Sequence, residues 1–182
     1  MSYNSFNAFS VDVEDYFQVE AFSKHISRSE WDAFPTRVEH NTQAIMEMLD
    51  LHGVKGTFFT LGWVAKRYPS LVRDIAANGH EVASHGMSHR LIYRQKASEF
   101  RQETFDSKAI LEDLSQQPVL GYRAATYSIT DKSLWALDIL VEAGFKYDSS
   151  IFPMLHDRYG IPSINPLPHL LTTPSGSSIV EF

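Results

Sequence analysis

Short apolar runs that end in polar or charged residues alternate along this chain with amphipathic stretches, and that alternation constrains its fold most. Repeated strand–helix–strand units imply parallel strands joined by right-handed crossovers, an α/β architecture. A first strand is expected over residues 6–13, ending in the acidic cluster Asp12, Glu14, Asp15. Ile45, Met48 and Leu49 sit near helical spacing within Val38–Leu51, and Gly53 follows as a stop. Residues 56–61 read as a second strand. Pro69 then opens a helix with Leu71, Val72, Ile75 and Ala76 on one face. A third strand over Glu81–Ser84 leads into His85, and a polar-faced helix is expected over residues 98–115. Strands over 118–122 and 145–148 flank a helix that Thr130 or Asp131 caps and Gly144 ends. From Pro153 the chain holds Pro162, Pro166, Pro168 and Pro174 and reads as a loop-rich tail. Residues 178–182 resemble the opening of another strand, so a further C-terminal portion is expected beyond Phe182.

The length of 182 residues predicts a single domain over 1–182. A domain this size removes roughly 70% of its unfolded surface from water. The formal charge of −6 argues against a nucleic-acid partner or an anionic membrane surface, which select basic faces. With no cysteine, thiolate metal sites, disulfides and cysteine nucleophiles are excluded, so any metal must be held by His, Asp or Glu. No apolar window is long enough to span a membrane, and the first residues do not form a signal peptide. The chain as written therefore reads as cytoplasmic. A periplasmic product that had lost its leader would read the same way.

In parallel α/β folds ligand chemistry collects at the C-terminal ends of strands. The chemistry-bearing residues here stand at those ends: Asp12, Glu14 and Asp15 after strand one, His85 and His89 after strand three, Arg123 after strand four and Asp148 at strand five. His85 and His89 are four apart, and on a helical turn that spacing puts two imidazoles on one face. Two histidines and one carboxylate make a three-ligand site with open positions, as hydrolytic zinc or iron centres require. The same histidines read without function are a polar loop, and the acidic cluster without function is a helix N-terminus. Three carboxylates within four residues repel one another, a cost that a bound cation offsets. Arg123 suits a bidentate pair with a catalytic carboxylate, and Tyr127 a place in the lining of the site. Trp31, Trp63 and Trp135 are expected in the core. His25, His40, His52, His80, His156 and His169 are expected at the surface or in structural roles, with His156 the least settled.

In this order the motifs resemble those of the polysaccharide deacetylases, carbohydrate esterase family 4, whose homology domain is shared with the nodulation-type chitooligosaccharide deacetylases. Ser10-Val11-Asp12-Val13-Glu14-Asp15 resembles the family's aspartate motif, Ser84 to His89 its histidine motif, and Arg123-Ala124-Ala125-Thr126-Tyr127 its Arg-x-Pro-Tyr motif. Gly79-His80-Glu81-Val82 is also similar. The runs 11–17 and 156–162 most resemble a branch tied to exopolysaccharide loci of exosortase-bearing bacteria. The resemblance implies a distorted, partly open (β/α) barrel, incomplete at the C-terminus. It implies a divalent metal, zinc first and cobalt, nickel or iron also admitted, and hydrolysis of N-acetyl groups from an acetylated glycan. By the same resemblance Asp12 is the catalytic base, Arg123 its partner, and His85 and His89 metal ligands. Glu14 is the metal carboxylate, with Asp15 as the alternative because the family's adjacent aspartate pair is spaced here. Ala125 departs from the family's proline. The family's general-acid histidine is expected beyond Phe182. Two other readings stand beside this one: a cyclic-ureide amidase of the same fold, and a non-catalytic carbohydrate-binding protein.

Overall fold

The computed structural model of the chain describes residues 7–182. Its strands are β1 (Ser10–Val13), β2 (Thr57–Thr60), β3 (Glu81–Ser84), β4 (Gly121–Tyr122), β5 (Tyr147–Asp148), β6 (His169–Thr172) and β7 (Ser178–Glu181). They form one sheet in the order β1-β2-β3-β4-β5-β7-β6, parallel except for the β6–β7 pair. The sheet is open, with β1 and β6 at its two edges. The helices are α1 (Val38–Leu51), α2 (Gly62–Arg67), α3 (Pro69–Ala77), α4 (Ala97–Ser115) and α5 (Trp135–Glu142).

Sheet register explains where the polar residues meet. Val13, Thr60, Ser84, Tyr122, Asp148 and Glu181 are successive partners across six strands. This row faces the helices: Ser84 Oγ lies 3.1 Å from Ser107 Oγ of α4, and the Tyr122 ring meets Phe100 edge-on. Side chains alternate along a strand. The residues one step beyond the row, Glu14, His85, Arg123 and Ser149, therefore turn to the opposite side. Asp12, two residues before Glu14, shares that side.

The core between sheet and helices is apolar and closed. Phe58, Leu61, Val64, Val72, Ile75, Leu111, Ile129 and Leu140 are buried in it. Trp31 is buried, and its ring meets the half-buried Trp63 edge-on, while Trp135 packs against the core. His80 is buried and accepts a hydrogen bond from the Gly56 N–H.

Some boundaries differ from those expected from sequence. The first strand begins at Ser10; Phe6, its expected start, lies outside the described residues. The fourth and fifth strands are two residues each, because only those residues stay in register. The last helix starts at Trp135 after turns held by Ser133, whose hydroxyl accepts from the Thr130 N–H. The proline-rich tail is not all loop: β6 follows directly on Pro168 and pairs with β7 as an antiparallel edge, a place where a preceding proline removes no ladder bond. Helix α2 and the short 3-10 turns between residues 16 and 33 were not expected.

Candidate metal and catalytic site

Glu14, His85 and His89 each place one ligand atom within 4.8 Å of the other two. Among the described residues no other trio of His, Asp or Glu does so. His89 Nε2 lies 2.9 Å from Glu14 Oε2, and His85 Nε2 lies 4.0 Å from the same oxygen. Both histidines are buried. The His85 Nδ1–H donates to the Arg123 carbonyl at 2.8 Å. A carbonyl can only accept, so this bond fixes the tautomer and leaves Nε2 as a lone pair. Burial holds the His85 imidazole below its ordinary range, against the pull of Asp12 and Glu14. It is a neutral ring with its lone pair turned toward carboxylates.

That arrangement supplies the test of whether a cation fits. His85 Nε2 and Glu14 Oε2 are buried without a hydrogen-bond donor. Two acceptors turned toward each other in a dry site are costly unless something positive lies between them. A neutral imidazole anchored by its other nitrogen to a carbonyl is the common orientation of a metal-binding histidine. Two imidazoles and one carboxylate suit zinc and other late divalent metals. The residues fit.

The pair of histidines is not on a helical turn. Residues 85–90 form a loop, and His89 has φ +49°, a left-handed backbone. The four-residue spacing works through loop curvature, not through helical periodicity.

Asp12 lies beside the trio. Its Oδ2 is 4.0 Å from His85 Nε2, and its Oδ1 accepts from Arg123 Nη1 at 2.9 Å. Arg123 is held at each of its three nitrogens: besides the Nη1 bond, Nε donates to the Ser149 carbonyl at 3.3 Å, and Nη2 to Ser10 Oγ and Ser149 Oγ, both at 3.0 Å. Its guanidinium lies 4.0 Å over the Phe59 ring. Ser10 and Ser149 are neighbours of the site that sequence reading missed. Their only signal is position, since each stands on a strand or just past one in the register of the site.

Asp15 does not join the trio. It is buried and faces away, accepting at Oδ1 from the Tyr16 N–H and at Oδ2 from the Arg37 and Val38 N–H groups, at 3.0, 2.7 and 3.1 Å. It caps the 3-10 turn Tyr16–Gln18 and ties the start of α1 to it. The carboxylate that the structure brings to the histidines is Glu14.

Tyr127 lies on the Arg123 side, its ring 5.9 Å from the guanidinium and 5.4 Å and 5.9 Å from the Phe152 and Tyr159 rings. Thr126 and Tyr127 both have left-handed backbone, at φ +54° and +50°. Ala125 is buried at the start of this turn. His156 stacks on Tyr159 at 4.0 Å and pairs with Asp157.

The sequence profile of the polysaccharide deacetylase family matches residues 23–147, more than half of the chain. The chain belongs to the polysaccharide deacetylase family. Among curated relatives of this family, a chitooligosaccharide deacetylase of Rhizobium leguminosarum bv. trifolii is 32% identical over 129 residues, covering 69% of this chain and 57% of the relative. One from Bradyrhizobium sp. (strain ANU 289) is 30% identical, covering 54% of this chain and 43% of the relative. The chain thus spans about half the length of the deacetylases it matches. A crystal structure assigned as a polysaccharide deacetylase from Mycobacterium smegmatis superposes with a TM-score of 0.72 at 27% identity, covering 96% of this chain and 56% of that one. Puue allantoinase shares the fold, with a TM-score of 0.69 at 18% identity, covering 96% and 60%. The open parallel sheet is that of these barrel-type relatives. The profile match begins at residue 23, so the placing of Asp12 and Glu14 rests on the geometry above. Among the described residues no helix is long and apolar enough to cross a membrane.

Proposed function

We propose that this chain carries the metal-binding half of a sugar N-deacetylase, a hydrolase that removes acetyl groups from the amino sugars of a bacterial polysaccharide or oligosaccharide. The observation that carries the reading is the site itself: Glu14, His85 and His89 bring three ligating atoms within 4.8 Å of one another, with both histidines buried, next to a carboxylate gripped by a buried arginine. Glu14, His85 and His89 hold a divalent cation, zinc by donor chemistry. When bound, it supplies Lewis-acid polarisation of the acyl carbonyl and a lowered pKa for water.

The chain's own residues do the rest. Asp12 accepts the proton of the attacking water as general base. Arg123 holds Asp12 by Oδ1 alone and so leaves Oδ2 turned toward the trio. The His85 Nδ1–H bond to the Arg123 carbonyl links the metal side of the site to the base side, so the two keep a fixed distance. Tyr127, with Phe152 and Tyr159 behind it, forms an aromatic wall for the sugar ring. Synthesis of an exocellular polysaccharide is the proposed setting, on the motif resemblance.

The substrate class is tested by product analysis. The protein, loaded with zinc, is incubated in parallel with an N-acetylglucosamine oligomer and with a cyclic ureide. Free amine on the oligomer with the ureide intact supports the proposal. Ring opening of the ureide without free amine on the oligomer overturns it.

A further inference from the structure

The loop that holds both histidines is fixed by its backbone carbonyls, one after another. The Gly86 carbonyl accepts from the Gly62 N–H at 2.8 Å, and the Met87 carbonyl from the Trp63 N–H at 3.0 Å. Helix α2 can come this close because Gly62 has no side chain; a Cβ there would lie 2.5 Å from Met87 Sδ. Among the described residues the next two carbonyls have no backbone donor. Arg28 Nε donates to the Ser88 carbonyl at 2.7 Å, and its Nη2 to the His89 carbonyl at 3.0 Å. The Arg90 carbonyl then accepts from Gln95 Nε2 at 3.1 Å.

Arg28 therefore grips the one stretch of the loop where the backbone is strained. His89 is left-handed, a conformation costly for a residue with a Cβ and kept only where surroundings fix it. The guanidinium is a planar fork, and its Nε–H and Nη2–H each reach one of two successive carbonyls. Arg28 begins the 3-10 turn Arg28–Ala33, lies 5.9 Å over the Trp31 ring of the same turn, and reaches the loop across about sixty residues of sequence. Ser88 is held from the other side, its hydroxyl 3.1 Å from both oxygens of Glu103.

We infer that Arg28 is a positioning residue for the metal centre: its guanidinium clamps the Ser88 and His89 carbonyls and so holds the His89 imidazole on the cation shared with Glu14 and His85. The inference rests on the metal-site reading above. Arg28 touches neither the ligand atoms nor the place of the substrate, so its effect is on ligand geometry. Loss of an outer partner of a metal ligand weakens metal binding by about 10- to 100-fold.

The test is cobalt and zinc binding by metal-stripped wild type, Arg28→Ala, Arg28→Lys and His85→Ala. Affinity is read by chelator competition and geometry by the visible absorption of bound Co²⁺. Arg28→Ala is expected to bind about 10- to 100-fold more weakly with an altered cobalt spectrum, and added methylguanidinium to restore both. Arg28→Lys is expected to recover little, because an ammonium cannot span two carbonyls as a fork. Thermal melting of the apo-proteins separates a local loss from unfolding. Wild-type affinity and spectrum in Arg28→Ala overturn the inference alone. Failure of the wild type to bind either metal more tightly than His85→Ala overturns the metal reading and the inference with it.

Discussion

Arg123 Nη1 donates to Asp12 Oδ1 at 2.9 Å, joining residues 111 positions apart, and it does so while its other donors hold Ser149 and Ser10. Four bonds from a buried guanidinium leave it no freedom to rotate. The Asp12 carboxylate is thereby fixed with one oxygen engaged and the other, 4.0 Å from His85 Nε2, turned toward the Glu14–His85–His89 trio.

On the proposed mechanism Asp12→Asn removes the general base and keeps the shape. Turnover is expected to fall by about 10²- to 10⁴-fold, the usual worth of general-base catalysis. Zinc affinity is expected to stay within a few-fold of wild type, because Asp12 is not in the ligand trio. Initial rates and zinc titration of the same preparation check both halves. A loss of zinc that matches the loss of rate would return Asp12 to the ligand set.

Arg123→Lys keeps the charge but not the fork. A lysine cannot reach Asp12, Ser10 and both Ser149 acceptors in one geometry. The expected result is a fall in kcat with KM little changed, since the groups misplaced are those that act on the water. Steady-state kinetics distinguish this from a KM effect, which would place Arg123 against the sugar instead.

Glu14 and Asp15 are neighbours in sequence with opposite surroundings, and their alanine variants are expected to fail differently. Glu14→Ala removes a proposed ligand and should abolish tight zinc binding with little effect on the melting of the apo-protein. Asp15→Ala leaves the Arg37 and Val38 N–H groups without their acceptor. It should cost about 1–3 kcal/mol of stability and leave zinc stoichiometry unchanged. The same pair of variants read by denaturant melts and metal analysis decides the matter; zinc lost on Asp15→Ala would reverse the assignment.

The contrast between Glu14 and Asp15 also marks how far the sequence could be read. That Asp12, His85 and Arg123 would meet was legible because parallel strands bring their C-terminal ends together, and each stands at or just past an apolar run. Glu14 was preferred to Asp15 only on the motif resemblance, because the residues alone do not say whether the chain turns after Val13. It does turn, and Asp15 becomes a cap for backbone N–H groups 22 and 23 residues away. Ser10, Ser149 and Arg28 were silent for the same reason: serines and a surface arginine gain meaning only from register and from contacts distant in sequence. Helix α2 was hidden because its six residues are too few for a periodic signal, and Pro69 marked a plainer start just beyond it. Strand β6 was hidden by the prolines around it.

A second carboxyl pair gives a pH prediction away from the candidate metal site. Asp148 and Glu181 are register partners on β5 and β7, both buried on the helix side of the sheet. Burial pushes both up, Asp148 to about 6 and Glu181 to about 10, the latter also through the charge of its neighbour. The folded pair keeps a proton at neutral pH that the unfolded chain has released. A folded pKa above the unfolded one gives stability that is whole at low pH and lost as pH rises, here from the ordinary carboxylate range near 4 through about 10. Glu181→Gln cannot ionise and keeps an acceptor for the Ile151 N–H, which the wild type satisfies at 2.9 Å. Its melting temperature is expected to decline less than wild type between about pH 6 and pH 9. Parallel declines would show that the pair is already ionised in the folded protein.

The most direct test of the account is acetate release from an N-acetylated oligosaccharide by metal-stripped protein, before and after one equivalent of Zn²⁺. The account predicts no release without metal, recovery with zinc, and no recovery in His85→Ala. Acetate released at the same rate by stripped protein, or restored by zinc in His85→Ala, would contradict it.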